Sequence, residues 1–220
     1  MHFLDRYLTP AVKTILLLCL VFYFAPAILD LFKPGFALDF HYRFALQPEV
    51  AIFDLHLWQF VTYMFMHGGL FHLLFNMLAL FFFGPAIENR LGTRRFWSFF
   101  LISGVVAAIS HVALYYGFHR PTGMGLPAFG VPGLVGASGA IMFVLLAFAA
   151  YYPEQEVLLY LAIPVKMKVL IGIIIVLDLI GLGNPGSSVA HIAHLGGLVA
   201  GYALLSQYHR DWDIRHWRWR

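Results

Sequence analysis

Residues 133–152 read GLVGASGAIMFVLLAFAAYY, a run of residues that contains no Asp, Glu, Lys or Arg. About 20 mostly apolar residues in a helix are enough to cross the hydrocarbon core of a bilayer. The run therefore predicts a membrane-spanning helix. Its opening residues, GASGA at 136–140, place a serine among small residues at the end of a Gly/Pro-rich connector, 121–136.

Similar apolar runs flank this segment, so we expect an all-α, polytopic membrane protein with a six-helix bundle. The 220-residue chain is 61% hydrophobic and 11% charged, against roughly 25% charged residues in soluble domains. Its mean hydropathy is +0.78. This composition excludes a disordered chain, a nucleic-acid-binding module and almost any water-soluble enzyme. Within one domain, 1–220, the spans are expected at 13–32, 69–87, 96–117, 133–152, 166–184 and 188–205.

The fifth span is interrupted by charged residues and a proline. We expect 157–164 to lie at the membrane interface, Lys166 and Lys168 to mark the boundary, and a short tilted helix to follow. A first helix with Ala-Pro-Ala at 25–27 resembles a signal-peptide end, but the five later spans favour an uncleaved helix.

Positive charges indicate how the helices are oriented. Of the 14 Lys and Arg residues, only Lys33, Arg43 and Arg120 fall on one side of the predicted spans. Cytoplasmic loops carry the excess of Lys and Arg in membrane proteins. We therefore expect both termini, including the tail 206–220, in the cytoplasm, and the loop 33–58 on the outer membrane surface.

Strongly polar residues within spans are costly and mark candidate sites. His72 and Asn76 are four residues apart in the second span, hence on one helical face. They are either a helix-packing pair or a polar pair facing a water-filled cavity. His67 precedes the helix, and we expect it to hydrogen-bond to loop backbone.

Ser138 opens the fourth span and His194 lies near the start of the sixth. His194, Gly197 and Gly201 form one stripe of the helix, and small residues allow helices to approach closely. If this stripe contacts the small face around Gly136 and Gly139, it carries His194 to Ser138. His191 lies further round the helix and is expected to have a supporting role.

Even-numbered spans run in the same direction in a six-helix topology, so these polar residues reach a similar depth near the outer face. A serine hydroxyl becomes nucleophilic when a histidine accepts its proton. No carboxylate is predicted to orient that histidine, so a Ser–His dyad is the simplest interpretation. Asp178 in the fifth span is assigned a structural or gating role.

Other chemistries fit less well. A metal site at His191, His194 and His72 lacks a carboxylate ligand and a HExxH motif, so no metal or other cofactor is expected. An aspartyl protease needs two suitably placed aspartates, and Asp30 and Asp178 lack the motif. A transporter is expected to have interrupted helices in repeated halves, which the sequence lacks.

Four motifs occur in order over about two-thirds of the chain, and together they resemble the rhomboid intramembrane serine proteases. They are LWQFVTYMFMHGGLFHLLFNM at 57–77, GPAIENRLG at 84–92, GASGA at 136–140 and AHLGGLVAG at 193–201. The resemblance implies that Ser138 is the nucleophile and His194 the general base and then acid. It assigns the oxyanion hole to His72, Asn76 and the backbone N–H of Ser138. It gives supporting roles to Gly136, Gly139, Gly197, Gly201, Trp58 and Glu88.

The resemblance also implies a function and a place. Members cleave peptide bonds in or near transmembrane segments of membrane-protein substrates, and bacterial members have this six-helix form in the plasma (inner) membrane. The site would open to the extracytoplasmic side, with the fifth helix as a lateral substrate gate. Gln59 stands where many members have Arg, which removes an expected loop salt bridge. The alternative is a non-catalytic rhomboid-like protein that binds or escorts transmembrane clients.

Overall fold

The structure, a computed structural model, describes residues 7–118, 133–159, 163–182 and 188–208, without the side chains of 118, 159 and 188–190. Most of the connector 121–136 and of the tail 206–220 lies outside these ranges. Helices and strands follow in this order: α1 (Pro10–Asp30), α2 (Phe36–Phe44), α3 (Pro48–Phe53), α4 (Gln59–Thr62), a 3₁₀ turn (Tyr63–Phe65), α5 (Leu70–Leu91), α6 (Thr93–Phe118), α7 (Ser138–Tyr151), β1 (Glu156–Leu159), β2 (Ile163–Lys166), α8 (Met167–Gly181) and α9 (Ser188–Tyr208).

Three helices within the described ranges, α1, α5 and α6, are long and apolar enough to cross a membrane. The other three expected spans correspond to α7, α8 and α9. Helix α7 is an apolar helix of only 14 residues, which is about 21 Å at 1.5 Å per residue.

Helix α7 lies at the centre of the bundle. Every residue from Gly139 to Ala149 is buried, because α5, α6 and α9 pack around it. This helix starts five residues later than the expected span, since Leu134 forms an antiparallel bridge with Leu46 of the outer loop instead of joining a helix. The bridge connects the outer loop to the segment that leads into α7.

The loop expected to lie on the outer surface is folded into α2 and α3. Gln59 is completely buried and ties the loop together. Its amide donates to the Tyr42 carbonyl at 3.0 Å and accepts from the Gln47 N–H at 3.0 Å. The Trp58 indole donates to the Arg43 carbonyl at 2.8 Å. Neutral hydrogen bonds of Gln59 and Trp58 with backbone therefore hold this loop together.

Of the segment 157–164, which was expected to lie at the membrane interface, residues 157–159 belong to β1 and residues 163–164 to β2, and the two strands pair antiparallel. These strands were not predicted from the sequence. Next to them, Lys166 and Lys168 form ion pairs with Glu154. Hydrogen bonds from the two ammonium groups lower the pKa of the Glu154 carboxyl.

The carboxylate of Glu88, near the end of α5, is buried against the start of α1. It accepts hydrogen bonds from the backbone N–H groups of Ala11 at 2.9 Å and Val12 at 3.0 Å, and from the hydroxyls of Thr9 and Thr93. The first N–H groups of a helix have no partner within the helix, and a negative charge is favourable there. Glu88 thus joins the first two spans.

Candidate active site

The two residues proposed as nucleophile and base lie within hydrogen-bonding distance. Ser138 is the first residue of α7 and His194 lies about two turns into α9. The Ser138 Oγ is 2.9 Å from His194 Nε2. The two helices approach closely at this level because Gly197 lies against the backbone of Gly139.

Gly136 makes the turn into α7. Its φ of +122° lies in the left-handed region that side-chain-bearing residues rarely adopt. A Cβ at this position would also lie 2.7 Å from ring atoms of His72. The Gly136 N–H donates to the Tyr63 carbonyl at 3.0 Å. Glycine therefore allows His72 to approach the serine turn.

A cavity of about 200 Å³ lies over the serine. Ser138, His72 and His194 all line it, so the structure brings three of the predicted site residues to one space. The other lining residues are Tyr63, Leu134, Val135, Gly136, Gly139 and Ala193. Most of the wall of this cavity is apolar.

Asn76 does not line this cavity. It is buried, and its Nδ2 donates to the His72 carbonyl one turn earlier at 2.8 Å. In this conformation the amide donates to a carbonyl of its own helix. The expected oxyanion role of Asn76 therefore stays a prediction.

His67 packs edge-on against His72, with ring centroids 5.2 Å apart. Neither ring nitrogen of His67 has a hydrogen-bond partner among the described residues. The ring also interacts with the backbone of Phe65 in the preceding loop, so the expected hydrogen bonds to loop backbone stay a prediction.

No carboxylate was expected beside the base, and this expectation is wrong. Asp178 of α8 places its Oδ1 3.1 Å from His194 Nδ1 and 2.7 Å from His191 Nδ1. Asp178 is 4% exposed. The rotation of α8 turns this carboxylate toward α9, which the spacing along the chain does not specify.

The same three residues offer ligand atoms that lie within 4.8 Å of one another and could hold a metal ion. A carboxylate therefore does lie beside His191 and His194, contrary to the expectation from the sequence. His72, the third ligand considered from the sequence, does not belong to this group. In the structure, the imidazole nitrogens instead contact Asp178 and Ser138.

Tyr63 is a site residue that the sequence analysis missed. It is 1% exposed, its hydroxyl donates to the Gly104 carbonyl of α6 at 2.7 Å, and its ring lines the cavity. Its carbonyl receives the Gly136 N–H. Tyr63 lies within the quoted motif at 57–77, but an aromatic residue in an apolar stretch is no signal for such a position.

Comparison with known proteins agrees with the motifs. The family model described as Rhomboid domain matches residues 54–210, a range that includes every residue of this site. The chain belongs to the rhomboid family. Its all-α, polytopic membrane fold, expected from the sequence, is confirmed by this membership and by the helical structure.

Curated rhomboid relatives include named proteases. Rhomboid protease GlpG of Serratia proteamaculans (strain 568) is 31% identical over 169 residues, 77% of this chain and 52% of that protein. Rhomboid protease GluP of Bacillus subtilis (strain 168) is 31% identical over 147 residues, 66% of this chain and 25% of that protein. The mitochondrial presenilin-associated rhomboid-like protein A of Danio rerio is 31% identical over 139 residues, which are 62% of this chain and 34% of that protein. This rhomboid chain thus spans a quarter to a half of the length of these three relatives.

Proposed function

We propose that this rhomboid is an intramembrane serine protease that hydrolyses peptide bonds in or near transmembrane segments of other membrane proteins. The observation that supports it is the 2.9 Å separation of Ser138 Oγ and His194 Nε2 inside a cavity. Family membership and relatives named as proteases agree with this activity. The proposed reaction uses no metal or organic cofactor.

The acylation step follows from this geometry. His194 Nε2 accepts the Ser138 hydroxyl proton while Oγ forms a bond to the carbonyl carbon of the scissile peptide. The tetrahedral intermediate collapses, the C–N bond breaks, and His194 returns the proton to the leaving amine. A water molecule then loses a proton to His194 while its oxygen bonds to the ester carbon. The Oγ–C bond breaks, His194 gives the proton to Ser138 Oγ, and the new carboxyl end is released.

The oxyanion of the intermediate requires hydrogen-bond donors. We assign this role to His72 and to the backbone N–H of Ser138, which as the first residue of α7 has no acceptor within the helix. His72 lines the same cavity as Ser138. Asn76 can contribute once its amide turns away from the His72 carbonyl.

The site is expected to open to the extracytoplasmic side of the membrane. The site lies at the end of α7 that carries the outer-loop bridge of Leu46 and Leu134, and the positive-inside distribution puts that end outside. Both termini are then cytoplasmic, as is typical of a bacterial plasma membrane member.

A substrate segment has to be extended to enter the cavity over Ser138, so residues with low helix propensity are expected near its cleavage point.

The test is cleavage of a single-span reporter protein by purified protein in liposomes. Wild type is expected to cut the reporter, and Ser138→Ala and His194→Ala to abolish the cut. His72→Ala is expected to retain the folded protein and lower kcat by about 10²-fold, the size of a lost oxyanion donor. Equal cutting by wild type and Ser138→Ala would exclude the proposed nucleophile.

A non-catalytic protein that binds or escorts transmembrane clients is the competing function. It predicts that wild type binds the reporter in the liposomes but leaves it uncut. Labelling of wild type by a fluorophosphonate, lost in Ser138→Ala and in His194→Ala, distinguishes an activated serine from an inert one without any choice of substrate.

A further inference from the structure

Asp178 carries an ionisable group into the bundle beside the proposed base. It lies on α8 and is 4% exposed. Its Oδ1 is 3.1 Å from His194 Nδ1, and the opposite ring nitrogen, Nε2, is 2.9 Å from Ser138 Oγ. Carboxylate, imidazole and hydroxyl thus form one continuous chain of contacts. A carboxylate within a membrane helix is costly and is a candidate functional group.

The contact with Asp178 determines which nitrogen of His194 carries the proton. A carboxylate oxygen accepts hydrogen bonds, so the nitrogen that faces it, Nδ1, is the protonated one. Nε2 then has a free lone pair that can accept the Ser138 proton. Without the carboxylate, a neutral imidazole can place its hydrogen on Nε2, and that tautomer cannot act as the base.

His191 holds Asp178 in this position. Its Nδ1 is 2.7 Å from the same oxygen of Asp178. Its ring lies against Gly181, one turn after Asp178 on α8, where a Cβ would come within 2.2 Å of His191 Nε2. Absence of a side chain at Gly181 therefore leaves room for the ring. Asp178 and Gly181 of α8 thus both lie against the His191 ring of α9.

The second oxygen of Asp178 is buried without a hydrogen-bond partner among the described residues. Buried polar atoms are nearly always satisfied in native proteins, and an exception requires an explanation. Within that part of the chain, the two imidazoles are the hydrogen-bond partners of this carboxylate. This arrangement is consistent with a role of the Asp178 carboxylate in setting the protonation and orientation of the two histidines.

We propose that Asp178 is a positioning residue that fixes the Nδ1–H tautomer and the orientation of His194, so that the serine and histidine act with a third member. This inference rests on the proposed protease function. It makes α8 a contributor to the chemistry, in place of the structural or gating role expected from the sequence.

The kinetic test compares Asp178→Asn with wild type in the liposome assay. An amide in place of the carboxylate can donate to Nδ1 and favours the wrong tautomer, a change that lowers kcat by up to about 10⁴-fold in other serine proteases. We expect kcat to fall by at least about 10-fold with KM unchanged. A smaller fall, or a change confined to KM, would overturn the proposal.

The matched control is Asp39→Asn, the same chemical change at an exposed ion pair with Arg43 on α2. It is expected to retain wild-type kcat. Thermal unfolding in detergent measures how much of each variant is folded, so that kcat is expressed per folded molecule.

A second measurement, made on wild type and on Asp178→Asn, needs no activity. In protein labelled with ¹⁵N-histidine, the His194 signals are identified by their loss in His194→Gln. Wild type is expected to show the Nδ1–H tautomer, and an Nε2–H tautomer overturns the proposal. If wild type cuts no reporter, the protease function fails, and comparison with Asp178→Asn still decides whether Asp178 positions His194: a shift toward the Nε2–H tautomer supports the proposal, and an unchanged tautomer overturns it.

Discussion

Gly197 of α9 lies so close to Gly139 of α7 that a Cβ added to it would come within 1.9 Å of the Gly139 carbonyl oxygen. The obstacle is backbone, which cannot move aside as a flexible side chain can. One turn later, a Cβ on Gly201 would lie 3.0 Å from the Phe143 Cα. The two helices therefore approach through glycine, and this approach places His194 beside Ser138.

Gly197→Ala is accordingly expected to force α7 and α9 apart. Overpacking of this kind costs about 1–3 kcal/mol and shifts backbone, so we expect a lower unfolding temperature in detergent and little cleavage. The control is Gly172→Ala in the middle of α8, where nothing lies within 4 Å of an added Cβ. It is expected to be neutral or stabilising by up to about 1 kcal/mol. Equal unfolding temperatures for the two variants would contradict the close contact.

Gly136→Ala tests the turn that precedes the serine. Its φ of +122° is strained for alanine, and the added Cβ would meet the His72 ring at 2.7 Å. We expect fluorophosphonate labelling of Ser138 to fall by more than about 10-fold, since a misplacement of about 1 Å can cost 10²-fold in rate. The protein should remain folded, because the change affects one turn.

Gly69→Ala is the matched control for that variant. Gly69 precedes α5, its φ of −179° is extended backbone, and nothing lies within 4 Å of an added Cβ. Labelling is expected to stay at the wild-type level. Wild-type labelling in Gly136→Ala would show that the turn tolerates a side chain.

The contact between Ser138 and His194 could be predicted because it depends on residue patterns that are visible in the sequence. Serine opens a helix at GASGA, and His194 shares a stripe with Gly197 and Gly201. Small residues on two helices specify where their backbones approach. The motif at 84–92 similarly identified Glu88 as structural, although its contacts with the start of α1 required the fold.

The contact of Asp178 could not be predicted in the same way. Helix α8 is apolar on most of its faces, so periodicity does not specify which face is turned toward α9. Strands β1 and β2 could not be predicted because each is four residues long and β2 contains Pro164, which argues against a strand. The amide orientation of Asn76 depends on a side-chain rotamer, whereas the sequence pattern specifies only the helical face.

Chelation tests whether the cluster of Asp178, His191 and His194 holds a metal during catalysis. In the proposed steps, His194 Nε2 acts as the base and Nδ1 stays hydrogen-bonded to the Asp178 carboxylate. We therefore expect dialysis against EDTA to leave kcat in liposomes within about twofold of its starting value, since a required metal ligated by these residues would be removed. Loss of activity on dialysis, restored by Zn²⁺, would replace the hydrogen-bonded arrangement with a metal centre.

Glu88→Gln tests the connection between α5 and α1. Each carboxylate oxygen of Glu88 accepts one backbone N–H of α1 and one threonine hydroxyl. An amide NH₂ in place of either oxygen would face the N–H of Ala11 or Val12, donor against donor, and the charge at the helix start would be lost. We expect a loss of about 1–3 kcal/mol in stability, the size of a broken hydrogen bond to a buried charged group.

The measurement is the unfolding temperature of Glu88→Gln in detergent, with Glu154→Gln as control. Glu154 pairs with Lys166 and Lys168 at an exposed position, where ion pairs contribute little. Because Glu88 lies away from the cavity, the folded fraction of Glu88→Gln is expected to keep the wild-type kcat. An unfolding temperature no lower than that of Glu154→Gln would show that the start of α1 does not depend on this carboxylate.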